Sequence, residues 1–203
     1  MFWGQTKQEE LFPDITLYAT RIFMRPPELT DWQQWANVRA ENKKRIQPFE
    51  PSWSAHYQSE EFFQRRLARQ AREWDLDKAN AFLIFRRDGR LIGGMNINNI
   101  SRGAAQFASI GYWIDEEHEG QGYMAEALQL TLKYCFEDLG LHRVNASCLP
   151  NNTRSKKTLL RAGFKEEGMA EKYLQINGKW QDHELFGMPI ERWKALGAAD
   201  ITG

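Results

Sequence analysis

Hydrophobic and polar positions along the chain predict alternating blocks of helix and strand. Arg21 to Arg25 reads as a short strand stopped by Pro26-Pro27. Thr30 or Asp31 caps a helix running to about Arg39, with Trp32 and Trp35 on one side. Gln47 to Trp53 carries two prolines and is a loop. Ser59, followed by Glu61 and Phe62-Phe63, opens an amphipathic helix to about Trp74. The period then changes. AFLIFRR and LIGGMNINNI are strands joined by an Asp88-Gly89 hairpin, and Ser101-Arg102-Gly103 turns into a third strand, Ala104 to Ile114.

Beyond this meander, Met124, Ala127, Leu128, Thr131, Cys135 and Leu139 recur at helical spacing, with Gly140 as the stop. HRVNASC is a strand, Pro150-Asn151-Asn152 a turn, and Thr153 to Ala162 a short helix ended by Gly163. A strand from Phe164, an Asn177-Gly178 turn and a return from Trp180 to Met188 complete the pattern. Its length and the absence of repeats or linkers fit one mixed α/β domain over 21–196. Residues 1–20 read as an N-terminal extension with Phe2 and Trp3 as docking anchors, and 197–203 as a C-terminal tail.

Composition narrows the function classes. Twenty-seven basic and 27 acidic residues cancel, so no global field draws the chain to nucleic acid or to a membrane. The N-terminus lacks the pattern of a signal peptide, no apolar window approaches a membrane span, and a cytoplasmic location is expected. Two cysteines, Cys135 and Cys148, lie in apolar patterns and read as buried inert thiols in a reducing compartment. Eight Trp, twelve Phe and six Tyr suggest a packed core and an aromatic-lined cleft. His56, His118, His142 and His183 form neither an H-x-x-x-H pair nor a Cys/His cluster, so no metal is expected.

The candidate chemistry lies in GQGYMA, Gly120 to Ala125, directly before the helix that begins near Met124. The first turn of a helix leaves its N–H groups unpaired in a region of positive potential, and a pyrophosphate fits there when glycines allow close approach. The motif resembles the end of a dinucleotide fingerprint, but three features oppose that reading. DEEHE intervenes between Ile114 and Gly120, the preceding strands form a meander, and Val144 to Cys148 ends in Leu149-Pro150-Asn151 with no acid for a ribose. A tight turn with no ligand is the plainer alternative for the glycines.

With Asn152-x-x-Ser155 and Gly163-Phe164 added, the chain resembles the GNAT superfamily of acyl-CoA-dependent N-acetyltransferases, and within it the RimJ-type ribosomal-protein alanine N-acetyltransferases. The carrying stretches are RGAAQFASIGYWI, GQGYMAEAL, LHRVNASCLPNNTRSKKTLLRAGFKEEG and YLQINGKWQDH, with the FEPSW loop upstream. The resemblance covers about Arg21 to Met188. It implies a mostly antiparallel central sheet with flanking helices, in which Ile110–Ile114 is bulged and splayed from Val144–Cys148. Pantetheine of acetyl-CoA would pair with the backbone of Tyr112, Trp113 and Ile114. Gly120, Gln121, Gly122, Tyr123, Met124 and Ala125 would cradle the pyrophosphate, Asn152 would touch the pantetheine arm, and Ser155 would lie near the sulfur. One departure is Glu117, where many relatives carry Gln or Arg; its charge should point to solvent, and Lys156 and Lys157 are candidates to compensate.

The reaction so implied is attack of a neutral amine on a thioester, through an oxyanion held by a free backbone N–H near Trp113 or Ile114. Ser155 is the first candidate to protonate the leaving thiolate, and Tyr173 the second. The glutamate some relatives place nineteen residues after the serine is Leu174 here. Glu50, in its Pro-stiffened loop, is a candidate to hold the ammonium, and Asp182, His183 and Glu184 are further candidate bases; surface ion pairing is the plainer role of each. The expected acceptor is the N-terminal α-amine of a ribosomal protein. A small amine (an antibiotic, polyamine or amino acid) and a non-catalytic coenzyme A-binding module are the alternatives, and a monomer or homodimer is expected.

Overall fold

In the computed structural model, whose described residues are 11–197, the chain builds one eight-stranded sheet. In chain order its strands are β1 (Leu17–Tyr18), β2 (Ile22–Arg25), β3 (Asn80–Arg86), β4 (Leu91–Ser101), β5 (Phe107–Ile114), β6 (Arg143–Cys148), β7 (Lys165–Ile176) and β8 (Lys179–Pro189). The helices are α1 (Trp32–Glu41), α2 (Lys43–Ile46), α3 (Glu60–Asp75), α4 (Tyr123–Lys133), α5 (Thr153–Arg161) and α6 (Ile190–Ala195). The spatial order is β1-β2-β3-β4-β5-β6-β8-β7. Every neighbouring pair is antiparallel except β5–β6, the pair that needs a crossover, and α4 supplies it.

The sequence dictates two covered faces. Met124, Ala127, Leu128 and Leu132 recur at helical spacing on α4 and bury against Ile22, Met24, Ile84, Ile97, Ile110 and Val144. On the opposite face Trp35 and Ala36 of α1, with Phe63 and Leu67 of α3, bury against Leu83, Phe85, Leu91 and Trp113. Strand β3 therefore reads apolar at nearly every position, since both of its faces are covered. Ser59 caps α3 by accepting from the Phe62 N–H at 3.2 Å. The Asn177-Gly178 turn takes φ of 45° and 79°, as a two-residue hairpin of this type requires.

Four features depart from expectation. Residues 11–20 are more than an extension, because β1 pairs with β2 (Leu17 opposite Met24) and Phe12 meets Trp74 edge to face at 5.8 Å; Phe2 and Trp3 lie outside the described residues. Strand β5 starts at Phe107 rather than Ala104, since Gly103 and Gln106 have φ of 67° and 40°. The bulge falls on β4 instead of β5. Asn99, with φ of 55°, and Ile100 together oppose Ala108, while β5 keeps register from Ser109 to Ile114. Finally, α4 widens into a π turn at Tyr134–Asp138 before Gly140 stops it.

Candidate active site

The parallel pairing of β5 with β6 stops early. Its rungs run from Phe107–Arg143 to Ile110–Ala146, although both strands continue. Beyond that point Ser147 and Cys148 pair only with Leu185 and Glu184 of β8, and β5 stays on β4 up to Ile114. The splay expected between Ile110–Ile114 and Val144–Cys148 is therefore present. The Asp115 N–H donates to the Ile92 carbonyl at 2.8 Å, which fixes the alternation of the ladder. Trp113 and Gly111 turn their amides toward β4, while Tyr112 and Ile114 turn theirs toward the gap. A Cβ on Gly93 would lie 2.6 Å from the Trp113 carbonyl, which shows the same orientation. Of the three backbone positions named from sequence, Tyr112 and Ile114 face the opening and Trp113 does not. The Trp113 indole is buried in the α1–α3 cluster.

Gly120 and Gly122 hold φ of 71° and 86°, a region that favours glycine, and they turn the chain sharply into α4. Gly122 is the N-cap and offers no side chain to the first-turn amides. Among the described residues no side chain hydrogen-bonds the N–H groups of Gly122, Tyr123, Met124 or Ala125. A Cβ on Gly120 would meet no protein atom within 4 Å. The loop is thus an open cradle of the kind a pyrophosphate requires. Glu117 points away, exposed and paired with Arg90 at 2.6 Å. Lys156 does not compensate it, being held by Glu184 at 2.8 Å and Glu166 at 3.1 Å. The cation at the loop is Arg21, which sequence reading placed only in a strand. Its Nη1 donates to the Gln121 carbonyl at 2.9 Å, its guanidinium lies 4.6 Å from the Tyr123 ring centroid, and Glu126 anchors it. No local signal reveals it, since a hundred residues separate it from the loop.

At the far side of the gap, Asn152 caps α5 by accepting from the Ser155 N–H at 3.1 Å. The cap of this helix is thus Asn152 and not Ser155. Ser155 Oγ instead lies 3.0 Å from the Tyr112 hydroxyl. Burial pushes the Tyr112 phenol well above its ordinary range, so it stays protonated. Burial likewise pushes the Cys148 thiol up to about 11. The Tyr112 side chain is a functional candidate that sequence reading missed, having used only its backbone.

The remaining candidates are placed differently. Glu50 accepts from Arg39 at 2.8 and 2.5 Å and from Trp53 Nε1 at 2.8 Å, so both carboxylate oxygens are occupied. The Arg39 guanidinium is packed between Trp53, at 4.0 Å, and Trp113, at 5.2 Å. The Glu50 carbonyl also accepts from the Asn177 N–H at 2.9 Å, tying this loop to the β7–β8 turn. Glu50 is therefore a structural anchor in this geometry rather than a free carboxylate for an ammonium. Tyr173 is exposed within the β7 irregularity between Ala170 and Leu174, with its ring against His183, and it makes no hydrogen bond to Ser155 or Tyr112. Asp182 is bound by Lys172. Glu184 has one oxygen on Lys156 and the other buried without a partner. Asp115, Glu117 and His118 bring potential ligand atoms within 4.8 Å of one another, but Asn42, His118 and Arg90 already engage the two carboxylates. Among the described residues no helix is long and apolar enough to cross a membrane.

A strand pair that opens beside a glycine cradle at a helix N-terminus defines an acyl-CoA transferase site. The family model for the acetyltransferase (GNAT) domain matches residues 21–165, and the chain belongs to this family as an acetyl-CoA-dependent N-acetyltransferase. It is 37% identical to a Bacillus subtilis protein named a probable N-acetyltransferase, YjcK, over 85% of this chain and 96% of that one. It is 32% identical to the Escherichia coli [ribosomal protein uS5]-alanine N-acetyltransferase over 89% of this chain and 94% of that one. Among solved structures, Mycobacterium smegmatis RimJ in complex with CoA-disulfide superposes with a TM-score of 0.84 at 29% identity, covering 93% of this chain and 97% of that one. The mixed α/β fold and the RimJ-type resemblance read from the sequence both stand.

Proposed function

We propose that the chain transfers the acetyl group of acetyl-CoA to the N-terminal α-amine of a ribosomal protein. The observation that carries this reading is the open gap beside Tyr112 and Ile114, with the unsealed loop Gly120–Ala125 at one end and Ser155 at the other. The Escherichia coli relative named for a ribosomal-protein alanine acceptor matches 89% of the chain. The sheet face beyond α1 and α3 also supports a peptide acceptor over an enclosed small amine. Ser109, Gly111, Asn145 and Ser147 are only half-buried there, and a Cβ on Gly111 would meet nothing nearer than Asn98, at 4.0 Å.

Acetyl-CoA supplies the thioester carbonyl. In this reading the amides from Gly120 to Ala125 hold the pyrophosphate, with Arg21 adding positive charge beside them. The backbone of Tyr112 and Ile114 orients the pantetheine arm, and the Ile114 N–H stabilises charge as it develops on the carbonyl oxygen. The Ser155 and Tyr112 hydroxyls relay a proton to the departing sulfur, and the proton released by the attacking amine, returned through water, restores the neutral pair. A strong base is unnecessary for this acceptor. An α-amine titrates near pH 8, so about a tenth is neutral at pH 7.

Mass spectrometry of N-terminally free ribosomal-protein peptides, incubated with enzyme and labelled acetyl-CoA alongside a panel of small amines, tests the acceptor. We expect label on the peptide N-termini. Label confined to small amines would overturn the assignment.

A further inference from the structure

A polar cavity of about 110 Å³ lies between α3 and strands β3 and β4, on the face away from α4. Arg66, Gln70, Glu73, Asn80, Asn96 and Asn98 form most of its wall, so it holds one carboxylate as well as the guanidinium. Interiors are close-packed, so a polar space of this size holds water or a ligand. Two buried side chains leave an atom unpartnered: Gln70 Oε1 and Asn80 Oδ1, in residues 6% and 3% exposed. Arg66 makes no hydrogen bond or ion pair among the described residues and only approaches the Trp35 ring, at 5.5 Å. Its neighbours offset it only in part, because Glu73, which lines the same cavity, is partly exposed and shared with Arg69. Arg39 is spent on Glu50, and Arg69 is matched by Glu73 at 3.9 Å. Burial, with Arg39 and Arg69, pushes the half-buried Arg66 guanidinium down to about 10 against the opposing pull of Glu50 and Glu73. Water would satisfy the amides but would leave this charge only partly balanced.

The cavity also borders the acceptor face. Asn96 and Asn98 pair with Gly111 and Ser109, and the space in front of Gly111 is open as far as Asn98. Three extended residues, at about 3.3 Å each, reach from the gap at Tyr112 to the level of Ser109. We propose that this cavity is a carboxylate subsite for the acceptor, gripped by Arg66, and this rests on the reading that the acceptor is a peptide N-terminus. It takes an acidic side chain two to four residues into the peptide. The planar guanidinium meets the carboxylate with two parallel hydrogen bonds. Gln70 turns the donor end of its amide toward it.

The test is binding of N-terminally free alanine peptides to the CoA-loaded enzyme, with glutamate or glutamine at position two, three or four. At one of these positions the glutamate peptide should bind at least tenfold more tightly than its glutamine twin. The ratio should fall to within about twofold in Arg66→Gln and return in part in Arg66→Lys. Asn98→Asp, at a half-exposed position that does not threaten folding, should weaken the glutamate peptide alone. No preference in the wild-type enzyme, or a preference that survives both Arg66→Gln and Asn98→Asp, overturns the subsite. Free glutamate and glutamine form a parallel pair. Discrimination confined to them keeps the carboxylate site but makes its source a small acceptor. Acetyl transfer measured in the same samples separates the two readings: absence of transfer to any peptide sinks the acceptor assignment, while the binding ratio still decides the subsite.

Discussion

The Tyr112 hydroxyl stands 3.0 Å from Ser155 Oγ, so the strand that borders the gap meets the first turn of α5 through two hydroxyls. If they act as one proton-delivering unit, removing either should cost nearly as much as removing both. Ser155→Ala should lower kcat by about a hundredfold, at the low end for a positioned acid, and Tyr112→Phe by nearly as much. The double variant should resemble Ser155→Ala, with the KM for acetyl-CoA little changed throughout. Losses that multiply in the double variant, or that fall on acetyl-CoA affinity alone, would show that the contact only packs the two elements together.

Glu50 yields a stability prediction where the sequence suggested a catalytic one. Its carboxylate neutralises Arg39, whose side chain is 9% exposed among tryptophans. Glu50→Gln leaves that guanidinium charged and without a counter-ion, and breaking a buried pair in this way costs about 3–5 kcal/mol; the partial exposure of Glu50 puts the expectation at the lower end. Urea unfolding should register the loss. An unchanged midpoint, with a raised KM for the acceptor, would return Glu50 to the binding site.

What the sequence made legible divides by range. The hairpin turns, the cap at Ser59, the α4 stripe and the glycine loop are written in neighbouring residues, so pattern alone places them. The register that selects Tyr112 and Ile114 over Trp113 is set by where β4 bulges, at Asn99–Ile100. No local residue type at Trp113 reports that bulge. Arg21 reaches Gln121, and Arg39 takes up Glu50, only because the sheet and its helices bring distant segments together. Family pattern points to Ser155, whose Oγ lies 3.0 Å from the Tyr112 hydroxyl. Tyr173 is a second choice only because a phenol can act as an acid, and the β7 irregularity between Ala170 and Leu174 holds it on the exposed part of the hairpin.

The two cysteines predict how stability depends on pH. Burial holds the Cys135 and Cys148 thiols up to about 12 and about 11. Below about pH 8.5 both are protonated in the folded and unfolded chains and contribute no pH dependence. Above it the unfolded chain releases protons that the folded chain keeps, so the unfolded state binds fewer and stability falls as pH rises toward the folded values. Between pH 8 and 10.5 the expected loss is about 4–5 kcal/mol for the two thiols together. Urea midpoints at the two pH values measure it. Cys135→Ala should flatten the slope, and an equal slope in that variant would trace the alkaline loss to other groups.

Gly89, Gly120 and Gly122 have nearly the same backbone, with φ of 84°, 71° and 86°, but different surroundings. A side chain in this region costs about 1–2 kcal/mol, so Gly89→Ala and Gly120→Ala should destabilise the protein alike. A Cβ meets no protein atom within 4 Å at either position, so the protein itself does not distinguish them. Only a ligand seated on the loop would. Isothermal titration with coenzyme A should therefore find an affinity at least about tenfold weaker in Gly120→Ala and unaltered in Gly89→Ala, a difference of about 1.4 kcal/mol. Gly122→Ala adds a further burden, because its Cβ would come 2.9 Å from Arg21 Nη2 and push that guanidinium aside. Arg21→Ala removes the same cation while leaving both glycines intact. If the loop holds phosphate, Arg21→Ala must also weaken coenzyme A; if Gly120→Ala and Arg21→Ala both bind it as the wild type does, the pyrophosphate lies elsewhere.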